Sequence, residues 1–489
     1  MRRSAASMTL IVLLAGGCAG TGSPRPSSPT SKATTVAGAA TSAAPATTIP
    51  LLDGPDLILH NGVVITANAD FDIDEALAVS DGLIDAAGDD ADILARRGAA
   101  TVVVDLAGAT VLPGIVDPHV HVIQRQAPDG TAMIEMSHAM LESGRTTVGI
   151  PGARPDQVSA FEEVADLLDL RIHLYLAYNT NCGEPIDASP WEREGGFARD
   201  PEDLLAVVGV KVFADGGSCN GPAVGWEYPD PLPDLIGFSD WVGTGSLYVT
   251  AEELAEVVSA VGDRGGQVVV HAAGERAVVA ALDGMEIALG DGGNPDRHRL
   301  DHNDFVPPEH RHRYGELEVI PVVFADYDSC FPGGGMWRLI APPDALEYHR
   351  ANQDLVAANP GLPVAFHSDL PFTTFDVFEQ MQFLVTVAEI SPDGYYCPPP
   401  DFLADQGVDV VTAIRMMTWN AAYAMRLEQK IGSLEPGKVA DLIIVAENPL
   451  EQEPEEIHCN AVWVTIVHGE PVHCAGPSEL CASLSARAG

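Results

Sequence analysis

Lysine is nearly missing from this sequence: among 489 residues only Lys32, Lys211, Lys430 and Lys438 occur. Lysine and arginine together number 26 against 70 acidic residues, a formal net charge of -44. Such a surface repels a phosphate backbone instead of releasing its counterions, so nucleic acid is excluded as a partner. The acidity is read as a source of solubility ahead of steering of a cationic substrate. No Gly-x-Ser-x-Gly element is present, which removes a serine-hydrolase reading. None of the eight cysteines has CxxC spacing, which weakens the case for thiolate metal binding. What is plentiful is apolar residues, at 46%, over a length that one large barrel with a small accessory domain would fill.

Residues 1–18 read as a targeting segment. Arg2 and Arg3 supply a positive start, Met8 to Leu14 a short apolar stretch, and small residues lead to Cys18. The stretch is too short to span a bilayer. Leu-Leu-Ala-Gly-Gly-Cys resembles a bacterial lipoprotein signal, which implies lipidation of Cys18 and a lipid-anchored place at the bacterial cell surface. Cleavage as an ordinary secretory signal stands beside it. Residues 19–52, almost all Thr, Ser, Ala, Pro and Gly, read as a flexible tether.

From residue 53 to 112 short alternating strands follow one another: Leu57 to His60, Val63 to Thr66, Ala76 to Ser80, Leu83 to Ala87 and Val102 to Asp105. The pattern predicts a small antiparallel sheet. It returns within 428–475, at Asp441 to Val445 and Ala461 to Val467, so both ends of the chain are expected to build one discontinuous β-sandwich domain, with 476–489 as a tail. Between them, at 113–427, strand and helix alternate. Strands are expected at Ile115 to His121, Thr146 to Pro151, Ile172 to Tyr178, Val208 to Ala214, Gln267 to Ala272, Arg299 to Asp304, Glu318 to Ala325 and Pro363 to Asp369. Helical spacing marks Asp156 to Leu168, Ala251 to Gly262 and Arg276 to Leu289. Eight such units predict an α/β fold, a (β/α)₈ TIM barrel, with its chemistry at the C-terminal ends of the strands.

Six residues fall at those ends. His119 and His121 in Asp-Pro-His-Val-His share one side of a strand, because side chains alternate with period two. His271 closes Gln-Val-Val-Val-His, His302 lies in Leu-Asp-His, and Asp369 in His-Ser-Asp-Leu-Pro. Taken singly, each has an ordinary explanation as a hydrogen-bonded core histidine or a helix cap. Lys211 is the sharpest clue, the one barrel lysine, set inside Val-Gly-Val-Lys-Val-Phe-Ala, where an ammonium is costly unless paired, neutralised, modified or able to snorkel out. Histidine and carboxylate ligands suit zinc or a similar divalent ion, which renders water nucleophilic near neutral pH.

These motifs together resemble the amidohydrolase superfamily, and within it the YtcJ-like (amidohydrolase 3) branch. The residues that carry the resemblance are Leu-Pro-Gly-Ile-Val-Asp-Pro-His-Val-His, Lys-Val-Phe-Ala-Asp-Gly-Gly, His-Ala-Ala-Gly-Glu-Arg-Ala, Leu-Asp-His-Asn-Asp, Ser-Asp-Leu-Pro and Gly-Ser-Leu-Glu-Pro-Gly-Lys-Val-Ala-Asp-Leu-Ile-Ile-Val. The resemblance implies two Zn²⁺ ions: His119, His121 and Asp369 on one, His271 and His302 on the other, and Lys211 bridging both through a carboxylated amine. It also implies that Asp369 acts as general base and then general acid. His367 departs from the pattern, which commonly has a small residue there.

The implied activity is hydrolysis of carbon-nitrogen bonds, non-peptide amide, formamide or cyclic amide, in a small molecule. A surface lipoprotein that binds metal or a solute without turnover is the alternative, and retention of Asp369 argues against it. Trp191, Trp226, Tyr228, Trp337 and Phe372 are candidate pocket walls, and Arg276 and Arg338 candidate anion holders. Export places the seven cysteines beyond Cys18 where disulfides persist. Adjacent loops suggest Cys182 with Cys219, Cys330 with Cys397, and Cys459 with Cys474, leaving Cys481 free. Oligomeric state stays open.

Overall fold

The computed structural model describes residues 54–121, 129–186, 196–198, 203–217, 219–233, 241–324, 329–332 and 335–485. The targeting segment, the tether and Trp191 lie outside them. Seven short strands come first: β1 (Leu57–His60), β2 (Val63–Ile65), β3 (Ile73–Asp74), β4 (Ala76–Ser80), β5 (Leu83–Gly88), β6 (Val102–Asp105) and β7 (Thr110–Pro113). The barrel strands are β8 (Ile115–Asp117), β9 (Arg145–Ala153), β10 (Arg171–Ala177), β11 (Leu205–Phe213), β12 (Gln267–Ala272), β13 (Arg299–His302), β14 (Ile320–Phe324) and β15 (Ala365–His367). A hairpin of β16 (Glu389–Ile390) and β17 (Tyr396–Cys397) follows, and β18 (Leu442–Val445), β19 (Val462–Val467) and β20 (Glu470–Cys474) return to the first domain.

The eight barrel strands form one parallel sheet in sequence order. Its two edges meet through a parallel bridge between Val120 and Leu370. There the amide of His121 donates to the Leu370 carbonyl at 2.6 Å, and the amide of Asp369 to the His119 carbonyl at 3.0 Å. Alternation sorts each strand. In β12, Val268, Val270 and Ala272 pack outward against the helices, while Val269 shares an interior cluster with Tyr175 and Val208. Two of the surrounding helices show why the chain turns helical. Ala251–Gly262 is started by Thr250, whose hydroxyl accepts from the Glu253 amide in a reciprocal capping box. Glu275–Leu289 buries Ala277, Val278, Ala281, Leu282 and Met285 at helical spacing.

The accessory domain is a sandwich of two sheets, ordered β5-β4-β1-β6 and β20-β19-β18-β7-β2-β3. It is mixed, not purely antiparallel as the alternation suggested, because β1 pairs with β6 and β2 with β7 in parallel. Leu57, Leu59, Leu77, Val79, Leu442 and Ile444 fill its core. The neighbours of opposite parity in β18, Ile443 and Val445, join the barrel's core, so one strand serves both domains. Residues 478–485 are not a tail. They form a helix, Ser478–Ser485, whose Leu480 and Leu484 are buried in the sandwich. Among the described residues no helix is long and apolar enough to cross a membrane.

Disulfides join Cys182 to Cys219 and Cys330 to Cys397, with Cα separations of 5.2 and 5.1 Å. The first ties the loops after β10 and β11; the second ties the loop after β14 to β17. The third expectation is overturned: Cys474 bonds Cys481 at a Cα separation of 5.9 Å, because the terminal helix folds back on β20. Cys481 is therefore not free, and Cys459 is not the partner of Cys474.

The terminal helix yields a direct stability test. Leu484→Ala should destabilise the protein by about 2–4 kcal/mol, as expected for a truncated core leucine. A denaturation midpoint equal to wild type would show the helix to be dispensable.

Candidate metal centre

The barrel seam builds the first half of the site. His119 and His121 leave β8 two residues apart, and Asp369 follows β15 with φ 55°, its amide held by His119. His119 Nε2 lies 3.1 Å from His121 Nε2 and 3.4 Å from Asp369 Oδ1, and His121 Nε2 lies 3.1 Å from the same oxygen. Gly149 permits this approach, since a Cβ there would stand 2.2 Å from the carbonyl oxygen of Pro118.

Lys211, His271 and His302 line the opposite side. Lys211 and His271 take the interior parity of β11 and β12. His302 shares the parity of the outward Leu300, but φ of 80° at His302 and 59° at Asn303 turns the strand end and brings the ring inward. Its centroid is 4.2 Å from that of His271 and 5.1 Å from that of His119. The structure thus brings together all six residues expected from the sequence.

Electrostatics prepare these groups as ligands. Burial, reinforced by the nearby Lys211 charge, holds His119 well below the usual histidine range, and burial likewise depresses His271 to about 3 and holds His302 well below the usual range. Their imidazoles are neutral at physiological pH, the form that binds metal. Burial also brings Lys211 down to about 8, against the pull of Asp301. Its Nζ is fully buried with no hydrogen-bond partner, and the carboxylate oxygen of Asp301 is 3.9 Å away.

Other residues were not singled out from the sequence. Asp301 Oδ2 accepts from His119 Nδ1 at 2.8 Å, and its Oδ1 accepts from Arg299 Nε at 3.1 Å. This fixes the His119 tautomer and leaves Nε2 to face the site. Asp117 receives the Arg145 Nε and the Ser368 amide, linking the first and last strands below the ligands. Asp215, raised to about 7 by burial, accepts the amides of Ala223, Ala273 and Gly274 and stands 3.3 Å from His271 Nε2. The signal for Asp301 and Asp215 was adjacency: one precedes His302, the other sits four residues after Lys211.

Of the expected pocket residues, Phe372 is at the site, edge-on to His121 at 6.1 Å between centroids and 55% exposed. Trp337 and Tyr228 are not walls. They are buried with Trp241 and Phe305 in an aromatic cluster, against which Trp226 packs while donating to the Ile340 carbonyl. Arg276 donates to Thr244 Oγ1, and Arg338 pairs with Asp401.

The sequence profile of the Amidohydrolase family (Amidohydro_3) matches residues 131–473, more than half of the chain. The chain belongs to the Amidohydrolase family. The match begins after His119 and His121 and includes the other four site residues. Family relatives include Protein LONG AFTER FAR-RED 3 of Arabidopsis thaliana, 25% identical over 55% of this chain and 44% of that protein. An N-substituted formamide deformylase of Arthrobacter pascens is 25% identical over 55% of this chain and 46% of its own length. The chain thus spans less than half of these two relatives. The fold is also that of an uncharacterized metal-dependent hydrolase from Pyrococcus furiosus, with a TM-score of 0.65 and 17% identity over 81% of this chain and 100% of that one. In this chain the clustered His119, His121 and Asp369 suit a divalent ion. The fit has an internal sign too: Lys211 Nζ and Asp369 Oδ1 are buried without hydrogen-bond partners, an arrangement that costs free energy unless something else occupies the site.

Asp301 supplies the test of this arrangement. Asp301→Asn should weaken metal binding by about 10–100-fold, the cost typical of losing a group that orients a ligand. Chelator competition reads this out; unchanged affinity would mean that Asp301 serves Arg299 alone.

Proposed function

We propose that this protein hydrolyses a carbon-nitrogen bond of a small molecule, an amide, formamide or cyclic amide, with two zinc ions. The observation that carries the reading is the convergence of His119, His121 and Asp369 on one side and a buried Lys211 without a hydrogen-bond partner on the other. His119, His121 and Asp369 would hold one ion, His271 and His302 the second. Lys211 would bridge them after its neutral amine adds CO₂, forming an N–C bond and losing one proton. Family membership supports the bond class, as does likeness to a protein named for N-substituted formamide deformylation.

A bound divalent ion supplies Lewis acidity and makes water a usable nucleophile near neutral pH. Asp369 then does the proton work. It takes a proton from the attacking water and returns it to the departing nitrogen, so that one amide and one water give one acid and one amine. Asp301 keeps Nδ1 of His119 protonated, so Nε2 offers its lone pair to the site. Phe372, beside His121, would cover an apolar part of the substrate.

For location, we propose export and anchoring through a lipidated Cys18, on the strength of the Gly-Gly-Cys motif ahead of the tether. Cys18→Ala should move the protein from the membrane to the soluble fraction; equal membrane retention would refute the anchor.

The catalytic reading is tested by two variants assayed against a panel of N-formyl, N-acyl, lactam and dipeptide substrates. Lys211→Ala should lose at least one metal equivalent and nearly all turnover. Asp369→Asn should keep most metal and lose about 10²- to 10⁴-fold in rate. Recovery of metal-stripped wild type should need bicarbonate as well as zinc, and should quicken as pH rises through about 8, where the Lys211 amine loses its proton. Wild-type metal content and rate in Lys211→Ala would refute the bridge. Bound metal with no turnover across the panel would favour a surface lipoprotein that binds metal or a solute without turnover.

A further inference from the structure

His367 ends β15 and is fully buried, yet neither of its ring nitrogens has a hydrogen-bond partner. Its ring stacks on His119 at 4.6 Å and 16°, stacks on Phe324 at 5.1 Å, and meets His302 edge-on at 4.7 Å. Packing alone would be served by any aromatic ring. An imidazole is a costly choice there, since each orphaned polar atom loses its hydration with no bond in exchange. His173 is buried with both nitrogens orphaned as well, but among the described residues no set of ligand-type side chains gathers round it. Around His367 one does: ligand atoms of His119, His302 and His367 all lie within 4.8 Å of one another. Two nitrogens bound to one zinc at about 2.0–2.1 Å stand roughly 3–4 Å apart, so modest ring rotations would suffice.

We propose that His367 is itself a metal ligand, sharing with His302 the second, inner ion and adding an imidazole to the set described above. This rests on the metal-hydrolase reading and deepens it. Asp301 commits Nδ1 of His119, whose Nε2 faces His121 and Asp369, so His302 and His367 are left with ring nitrogens to spend on the inner ion. An imidazole-rich set selects borderline ions such as zinc or cobalt over magnesium or calcium, which prefer oxygen. It also explains why a large ring occupies a position beside the general base where substrate room would otherwise be gained.

The experiment uses the purified full chain, stripped and reloaded with Co²⁺, as wild type, His367→Phe and His367→Ser. The Phe variant keeps the stack and removes the nitrogens; the Ser variant guards against a misfit of the larger ring. Metal equivalents, affinity by chelator competition and the visible cobalt absorption are measured together. Wild type should bind cobalt or zinc and ignore millimolar magnesium. In the variants one equivalent should weaken by more than the ~10–100-fold cost of losing a group that only orients a ligand, with a changed cobalt spectrum. A folded variant of either kind that retains wild-type affinity and spectrum overturns the assignment while leaving the hydrolase reading intact. Wild type that binds no divalent ion overturns both.

Discussion

The hydrogen bond from the Asp369 amide to the His119 carbonyl is the contact on which the site depends. It belongs to the seam where the last barrel strand meets the first, and it joins two of the residues that face the proposed ions, with His121 two positions beyond the first. A barrel that failed to close there would still hold its apolar outer layer, but His119 and His121 would no longer face Asp369. Closure and site assembly are one event. The bond is reinforced beneath by Asp117, which takes the Ser368 amide from one edge of the seam and the Arg145 guanidinium from the next strand.

Below the ligands the barrel interior sets polar groups beside apolar ones such as Val208 and Val269. Arg299 donates to Asp301, to the Tyr175 hydroxyl and to the Pro118 carbonyl, while Tyr175 donates to Gln267. Buried ions of this kind persist only when their hydrogen-bonding capacity is met, since removing one partner costs about 3–5 kcal/mol. This floor offsets the concentration of imidazoles and the lysine above it. It also explains why acidic residues invisible to a search for metal ligands matter here: Asp301 accepts from His119 Nδ1 and Asp215 stands beside His271.

Much of this was legible beforehand, for physical reasons that differ by residue. Alternation placed the barrel strands within a few residues of their observed ends, and it put His119 and His121 on one side of the first. It could not predict His302, whose inward ring requires a left-handed turn at the strand end. Composition marked Lys211, because a single lysine in an apolar strand has few explanations. The aromatic residues misled: Trp337 is large enough to suggest a pocket wall, yet it sits in a packed cluster, and only contacts distant in sequence reveal that. Cys474 found Cys481 because a short helix carries the chain back, a return that the polar C-terminal composition concealed. His367 was visible as an oddity, but its stacking and its orphaned nitrogens needed the three-dimensional arrangement.

Strand β7 lies between β2 and β18 in the six-stranded sheet, so Thr110–Pro113 is paired on one side with residues from the start of the chain and on the other with Leu442–Val445. The sandwich core is therefore incomplete until the chain has been made past Leu442. A ribosome-bound chain carries an open edge at β7 throughout, with Val111 and Leu112 waiting for partners more than 300 residues downstream. Such an edge is a template for pairing with other chains. The long delay between the two halves leaves early synthesis the stage most exposed to aggregation.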